Sequence, residues 1–141
     1  MSNMIDIDSG QIKIHEKLFY YEMSFEEALN LSGDFEHEIL DYKNGYKWIN
    51  LKKIEFNDSF FHFGLCFKSD HLDYIDFGFS SLDELKKTWA DWTEENELSK
   101  KELYEKWLTD NLSRKRKFKW GKIETYYDPK GGTTGMIIKY K

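Results

Sequence analysis

The sequence predicts one α+β domain over residues 1–141: an antiparallel, meander-like sheet of about six or seven strands, with one principal helix before a C-terminal β-hairpin. Three observations lead there. Strand-length runs of apolar residues are joined by short Asn, Asp, Ser and Gly turns, which suits antiparallel neighbours and not the long crossovers of a parallel sheet. Apolar residues between Leu98 and Leu112 recur with helical spacing. The segment Asp128-Pro129-Lys130-Gly131-Gly132 then separates the last two strand-like runs. A chain of 141 residues suffices for one core and is short for two.

The elements follow in order. Residues 11–23 alternate around Ile12 and Ile14 and predict a first strand. Ser24 opens a short helix, with Glu27 at capping-box spacing and Phe25, Ala28 and Leu29 as its buried side. From 35 to 79 the pattern is β. Asn44-Gly45 is a strong hairpin signal, and Trp48 to Phe56 forms the strand after it. Asn57-Asp58-Ser59 turns the chain into 60–67, where Phe61, Phe63, Leu65 and Phe67 share one face. Both faces of this run look covered, which predicts a central strand. Ser69-Asp70-His71 turns it again into Leu72–Phe79.

Ser81 and Glu84 have capping-box spacing, and Leu82, Leu85, Trp89 and Trp92 suit a helical face; the same stretch also fits a turn and a strand end. Thr93 caps the principal helix. Glu94, Glu95 and Glu97 complement its positive end, and Leu98, Leu103, Tyr104, Trp107, Leu108 and Leu112 form its apolar stripe. Lys100, Lys101, Lys106 and Arg114 lie toward its other end. Residues 117–127 and 133–140 are the closing hairpin, with Ile123 and Tyr127 facing the core beside Met136 and Ile138.

Composition narrows the class. Aromatic residues make up 18 % of the chain, enough for a real core and too many for disorder. The rings are expected to fill the interior and leave ionic side chains outside. The mean hydropathy of −0.75 and the lack of a long apolar run argue against a membrane span. The start, with no basic and apolar leader pattern, does not read as a signal peptide. The single cysteine, Cys66, cannot pair within the chain, is expected to be a small buried hydrophobe, and fits a reducing cytoplasm.

Charge divides the chain. Residues 1–99 carry 9 Lys/Arg against 21 Asp/Glu, a net of −12; residues 100–141 carry 12 against 5, a net of +7. Net charge speaks to association rather than fold. The acids cluster at 34–41, 70–76 and 91–97, where they can steer a basic partner or simply solvate the surface. Arg114-Lys115-Arg116-Lys117-Phe118-Lys119-Trp120 interleaves cations and rings, a pattern able to follow a phosphate backbone and stack bases. The acidic body opposes that, so nucleic acid is the less favoured partner.

No reaction is spelled out. The four histidines form no HxH or HxxxH pair, and no zinc-type spacing is present, so neither metal nor cofactor is expected. There is no nucleophile elbow, and the glycines of 128–132 join two strands instead of opening a helix as a P-loop does.

The last third adds a resemblance. Trp92-Thr93-Glu94-Glu95, Trp107-Leu108, Trp120-Gly121-Lys122-Ile123, Asp128-Pro129-Lys130-Gly131-Gly132 and Ile137-Ile138-Lys139-Tyr140 resemble small uncharacterised bacterial proteins of toxin–immunity neighbourhoods. The match spans roughly residues 88–141 and its motifs look structural. The resemblance implies an intracellular, non-enzymatic binding role that neutralises a toxin. The leading expectation is therefore a cytoplasmic protein-binding domain, a monomer or small homo-oligomer, that occludes a basic toxin. Asp34, Glu36, Asp70, Asp73, Glu94 and Glu95 are its candidate contact acids. Two alternatives stay open. One is a ligand-binding protein or enzyme with an aromatic pocket between helix and sheet, lined by Trp48, Phe63, Trp89 and Trp107. The other is RNA binding through Arg114, Lys115, Arg116 and Lys119.

Overall fold

The computed structural model describes residues 4–141, apart from the side chains of Asp83, Glu84 and Trp89. The fold is α+β. The first strand expected over 11–23 is instead a small hairpin, β1 (Ile12–Ile14) and β2 (Lys17–Phe19). The reason is local: His15 and Glu16 take left-handed φ values of 45° and 72°, and two such residues in succession reverse the chain. Helix α1 (Phe25–Ser32) follows, and its Ser24 cap accepts the Glu27 N–H at 3.1 Å.

The main sheet begins with β3 (Glu36–Asp41), β4 (Tyr46–Phe56), β5 (Ser59–Lys68) and β6 (His71–Ser80). Two-residue left-handed turns at Asn57-Asp58 and Ser69-Asp70 join β4 to β5 and β5 to β6. A bulge near Lys53, at φ 53°, shifts the register between Leu51 and Ile54, so these two residues bury on the same face despite their odd spacing.

Residues 82–92 are neither one helix nor a strand. They form a single turn, α2 (Leu82–Leu85), and a 3-10 turn (Trp89–Asp91). The long helix α3 (Glu94–Leu112) is capped by Thr93, whose hydroxyl accepts the Asn96 N–H at 3.1 Å. Its buried stripe is narrower than expected. Tyr104, Leu108 and Leu112 are buried, whereas Leu98 and Leu103 fall off that line and stay 45 % and 47 % exposed. The run 117–127 is broken by a tight turn into β7 (Lys117–Phe118) and β8 (Gly121–Asp128). Gly121 is required there, because a Cβ would lie 2.1 Å from the Lys139 carbonyl oxygen. Strand β9 (Thr133–Tyr140) completes the hairpin.

The seven strands are antiparallel throughout, in the order β3-β4-β5-β6-β9-β8-β7. After β6 the chain crosses on α3 to the far edge and returns inward, so β9 lies against β6. That contact is short. Register pairs run only from Tyr74 with Lys139 to Phe77 with Met136. Beyond them Tyr104 of α3 takes the place of a partner strand: its hydroxyl accepts the Phe79 N–H at 3.1 Å and donates to the Phe79 carbonyl at 2.9 Å. One hydroxyl can serve both roles.

One face of the sheet is covered. Phe61, Phe63, Leu65, Phe67, Ile75 and Phe77 point into a core shared with β1, β2, α1 and α3. Trp107 packs against Phe61, Phe77 and Phe79, with ring centroids 5.8 to 6.2 Å apart. The space between helix and sheet is thus filled by rings.

Tyr104→Phe is expected to lower stability by about 1–3 kcal/mol, since both Phe79 backbone groups lose their partner while buried. Urea unfolding measures the loss, and the Phe79 amide should exchange markedly faster in the variant. An unchanged midpoint with unchanged exchange would refute this role for the hydroxyl.

Candidate functional site on the uncovered sheet face

Strand alternation puts a second set of side chains on the opposite face. Among the described residues only α3 borders it, at one end. The register aligns Asn50, Gly64 and Asp76 in one row, Trp48, Cys66 and Tyr74 in the next, and sets His62 beside Gly78 and Tyr126 beside Gly135. Three neighbouring strands therefore carry glycine where the face would bear a side chain.

Rings occupy the vacated space. A Cβ on Gly64 would meet the Trp48 ring at 3.1 Å, one on Gly78 the Tyr104 hydroxyl at 2.7 Å and the His62 ring at 3.0 Å, and one on Gly135 the Tyr126 hydroxyl at 2.6 Å. Trp48 and Tyr74 meet edge to face, with centroids 5.4 Å apart, across the strand that holds Cys66. Cys66 is buried as expected, and that burial pushes its thiol pKa up. The result is a hollow of about 470 Å³ bordered by Trp48, Asn50, His62, Asp76 and Tyr126, with Glu97 and Lys100 of α3 at one end.

Asp76 is the acid in this hollow. Tyr126 donates a 2.6 Å hydrogen bond to its Oδ2. Loss of water around the carboxyl raises its pKa, and the Tyr126 bond only partly offsets this. Burial, reinforced by Asp76, pushes the Tyr126 phenol far up, so it stays a donor. The crowded His62 ring is pushed down, first by desolvation and then by the Lys100 ammonium. The residue keeps more than a third of its surface accessible, so solvent screens part of this effect; its direction favours neutral imidazole. The two ammonium groups at the border are engaged elsewhere, Lys100 with Glu97 at 3.3 Å and Lys52 with Glu38 at 3.6 Å. Among the described residues no group of three or more His, Cys, Asp or Glu is placed to hold a metal.

The acids singled out in the sequence do not converge. Asp34 pairs with Lys17 at 2.6 Å, Glu36 with Lys53 at 4.0 Å, and Asp70 with Lys47 at 2.8 Å. Asp73 is the extra residue of a bulge in β6. Glu94 accepts from the Tyr127 hydroxyl at 3.3 Å, and Glu95 is exposed beside it. Asp70 and Glu94 sit at opposite ends of the sheet, roughly 30 Å apart at about 3.4 Å per residue.

The basic segment is also partly engaged. Arg116 folds back to donate to the Ser113 carbonyl at 2.8 Å and to Thr109 Oγ1 at 3.0 Å, and Lys115 lies 5.1 Å from the Phe118 ring centroid. Arg114 and Lys119 are exposed. Of the four residues assigned to an aromatic pocket, Trp48 and Phe63 border the hollow, Phe63 with its ring buried in the core, whereas Trp107 packs against the core and the Trp89 side chain is outside the described residues. The aromatic-walled hollow therefore lies on the sheet face opposite the core, with α3 at one end of it.

Sequence reasoning missed Asp76, His62 and Tyr126 as site residues. A signal was present: Gly64, Gly78 and Gly135 each interrupt a strand that needs no glycine for its own conformation.

An acid whose folded pKa is raised weakens the fold when charged, and the penalty lifts as pH falls through that raised value. Asp76→Asn keeps an acceptor for Tyr126 and loses the charge. Its melting temperature at pH 7 should equal or exceed that of the parent, and the difference should shrink as pH falls toward 4. A variant clearly less stable at pH 7 would contradict this. Comparison of the chain with protein-family models, curated proteins and solved structures finds no match.

Proposed function

We propose that the chain is a non-enzymatic protein-binding domain, of the type that neutralises a basic toxin by occlusion, and that the uncovered sheet face is its contact surface. One observation carries this reading: Trp48 and Tyr126 border a hollow on the sheet face opposite the core, a face that among the described residues only α3 borders, and only at one end. Aromatic side chains in water-excluding depressions are the usual anchors of protein interfaces.

The scattered acids then have a different part from the one their sequence positions suggested. Their field, with the −5 net charge, draws a cationic partner and speeds encounter, while the rings supply most of the affinity. A toxin acting inside the cell that makes it needs its inhibitor in the same compartment, which agrees with a cytoplasmic setting. A second reading has its own support. A volume of about 470 Å³ also suits a small ligand, and thermal-shift screening with metabolite mixtures would expose one.

The test is co-expression with a toxin-type polypeptide encoded in the genomic neighbourhood. The expected result is restored growth and co-elution of the two chains. Trp48→Ala should weaken the complex by at least tenfold and raise the dissociation rate, while Glu95→Gln should act mainly on the association rate at low salt. Failure of the chains to associate would sink the reading. Full protection by Trp48→Ala would move the contact to another surface.

A further inference from the structure

We infer that the hollow is a receptor for a guanidinium group, an arginine side chain of the protein partner, with Asp76 as its anion. This rests on the protein-binding reading above and names what that surface grips.

The carboxylate is only half used. Tyr126 takes Oδ2. Among the described residues no lysine or arginine forms an ion pair with Asp76, and no side-chain nitrogen or oxygen is both buried and unpartnered. Oδ1 therefore has no ion-pair partner among the described residues and is not sealed from solvent. Directly across the ladder stands Gly64, which has no side chain of its own, and the Trp48 ring lies over it, so an aromatic surface flanks the carboxyl on that side. The Asn50 amide leans over the same glycine, its Oδ1 3.3 Å from where a Cβ would be, and adds a neutral acceptor. Largely covered carboxylates are ordinarily paired. Here the counter-ion has to come from outside the domain.

The walls choose the cation. Trp48, braced by Tyr74, on one side and Tyr126 on the other present aromatic surface to whatever meets Asp76. A guanidinium is planar, stacks on rings, sheds water more readily than an ammonium and carries five donors in a fixed fork. An ammonium ion loses more hydration and matches the two acceptors less well. An anionic ligand would face the Asp76 carboxylate with Lys100 and Lys52 already engaged by Glu97 and Glu38.

The test uses the intact chain and L-argininamide, followed through the Trp48 indole resonance. Saturable binding in the millimolar range is expected, at least tenfold weaker for L-citrullinamide, which is similar in shape and uncharged in the side chain, and weaker also for L-lysinamide. Asp76→Asn should abolish it, while Asp73→Asn, on the same strand, should retain it. Absence of saturable binding, equal binding of citrullinamide, or survival of binding in Asp76→Asn would each overturn the inference. Micromolar affinity for argininamide would assign the hollow to a small guanidinium metabolite and overturn its role as a partner anchor. Failure of this inference and of the protein-binding reading are distinguishable. A toxin complex unaffected by Asp76→Asn removes only the former, and argininamide binding without any toxin complex removes only the latter.

Discussion

The seam between β6 and β9 is the constraint on which the rest of the structure depends. It joins a meander of four strands to a C-terminal unit of three, and its register pairs span only Tyr74 to Phe77 on β6. Past Phe77 the two strands part, and α3 enters the gap with Tyr104. The Glu97 carbonyl accepts from Thr134 Oγ1 at 2.9 Å just beyond it, so the helix is bonded to both sides of the opening. A sheet this wide stays continuous because a helix side chain completes its ladder where a strand does not.

The hollow straddles the same seam. Asp76 comes from β6, Tyr126 from β8 and His62 from β5, with the end of the hollow formed by residues of α3. The helix thus serves the core through Trp107 and Leu108 and borders the opposite face through Glu97 and Lys100. A two-layer arrangement leaves one sheet face to solvent, and such faces ordinarily carry small polar side chains. Glycines on three adjacent strands let rings lie flat on this one, which shields a carboxylate more than an ordinary surface would. Supporting a half-satisfied acid at the expense of stability is what binding sites do.

Much of the fold was legible locally. The Asn57-Asp58 and Ser69-Asp70 turns, the Ser24 and Thr93 caps and the Pro129-containing hairpin all act within a few residues, and the structure has each in place. Two kinds of feature escaped. His15-Glu16 makes a tight left-handed turn without the Asn or Gly that ordinarily signals one. The neighbours of β9, and with them the rows of the uncovered face, depend on a helix crossing whose landing point no local pattern encodes. Asp76 next to Tyr126 is a contact across fifty residues, and it emerges only once three strands have a register. The charge blocks misled for a related reason: 34–41, 70–76 and 91–97 are compact in sequence and dispersed over the sheet.

The placement of β9 also bears on how the domain is made. The strand that leaves the ribosome after every other strand of the sheet is the one that must slot in beside β6, near the middle. Until it does, β6 offers a bare edge with unanswered amides, and the meander is open to pairing with a neighbouring nascent chain. Biogenesis of this domain is therefore a late, all-at-once closure, and its window of vulnerability to misassembly stays open until β9 has been made.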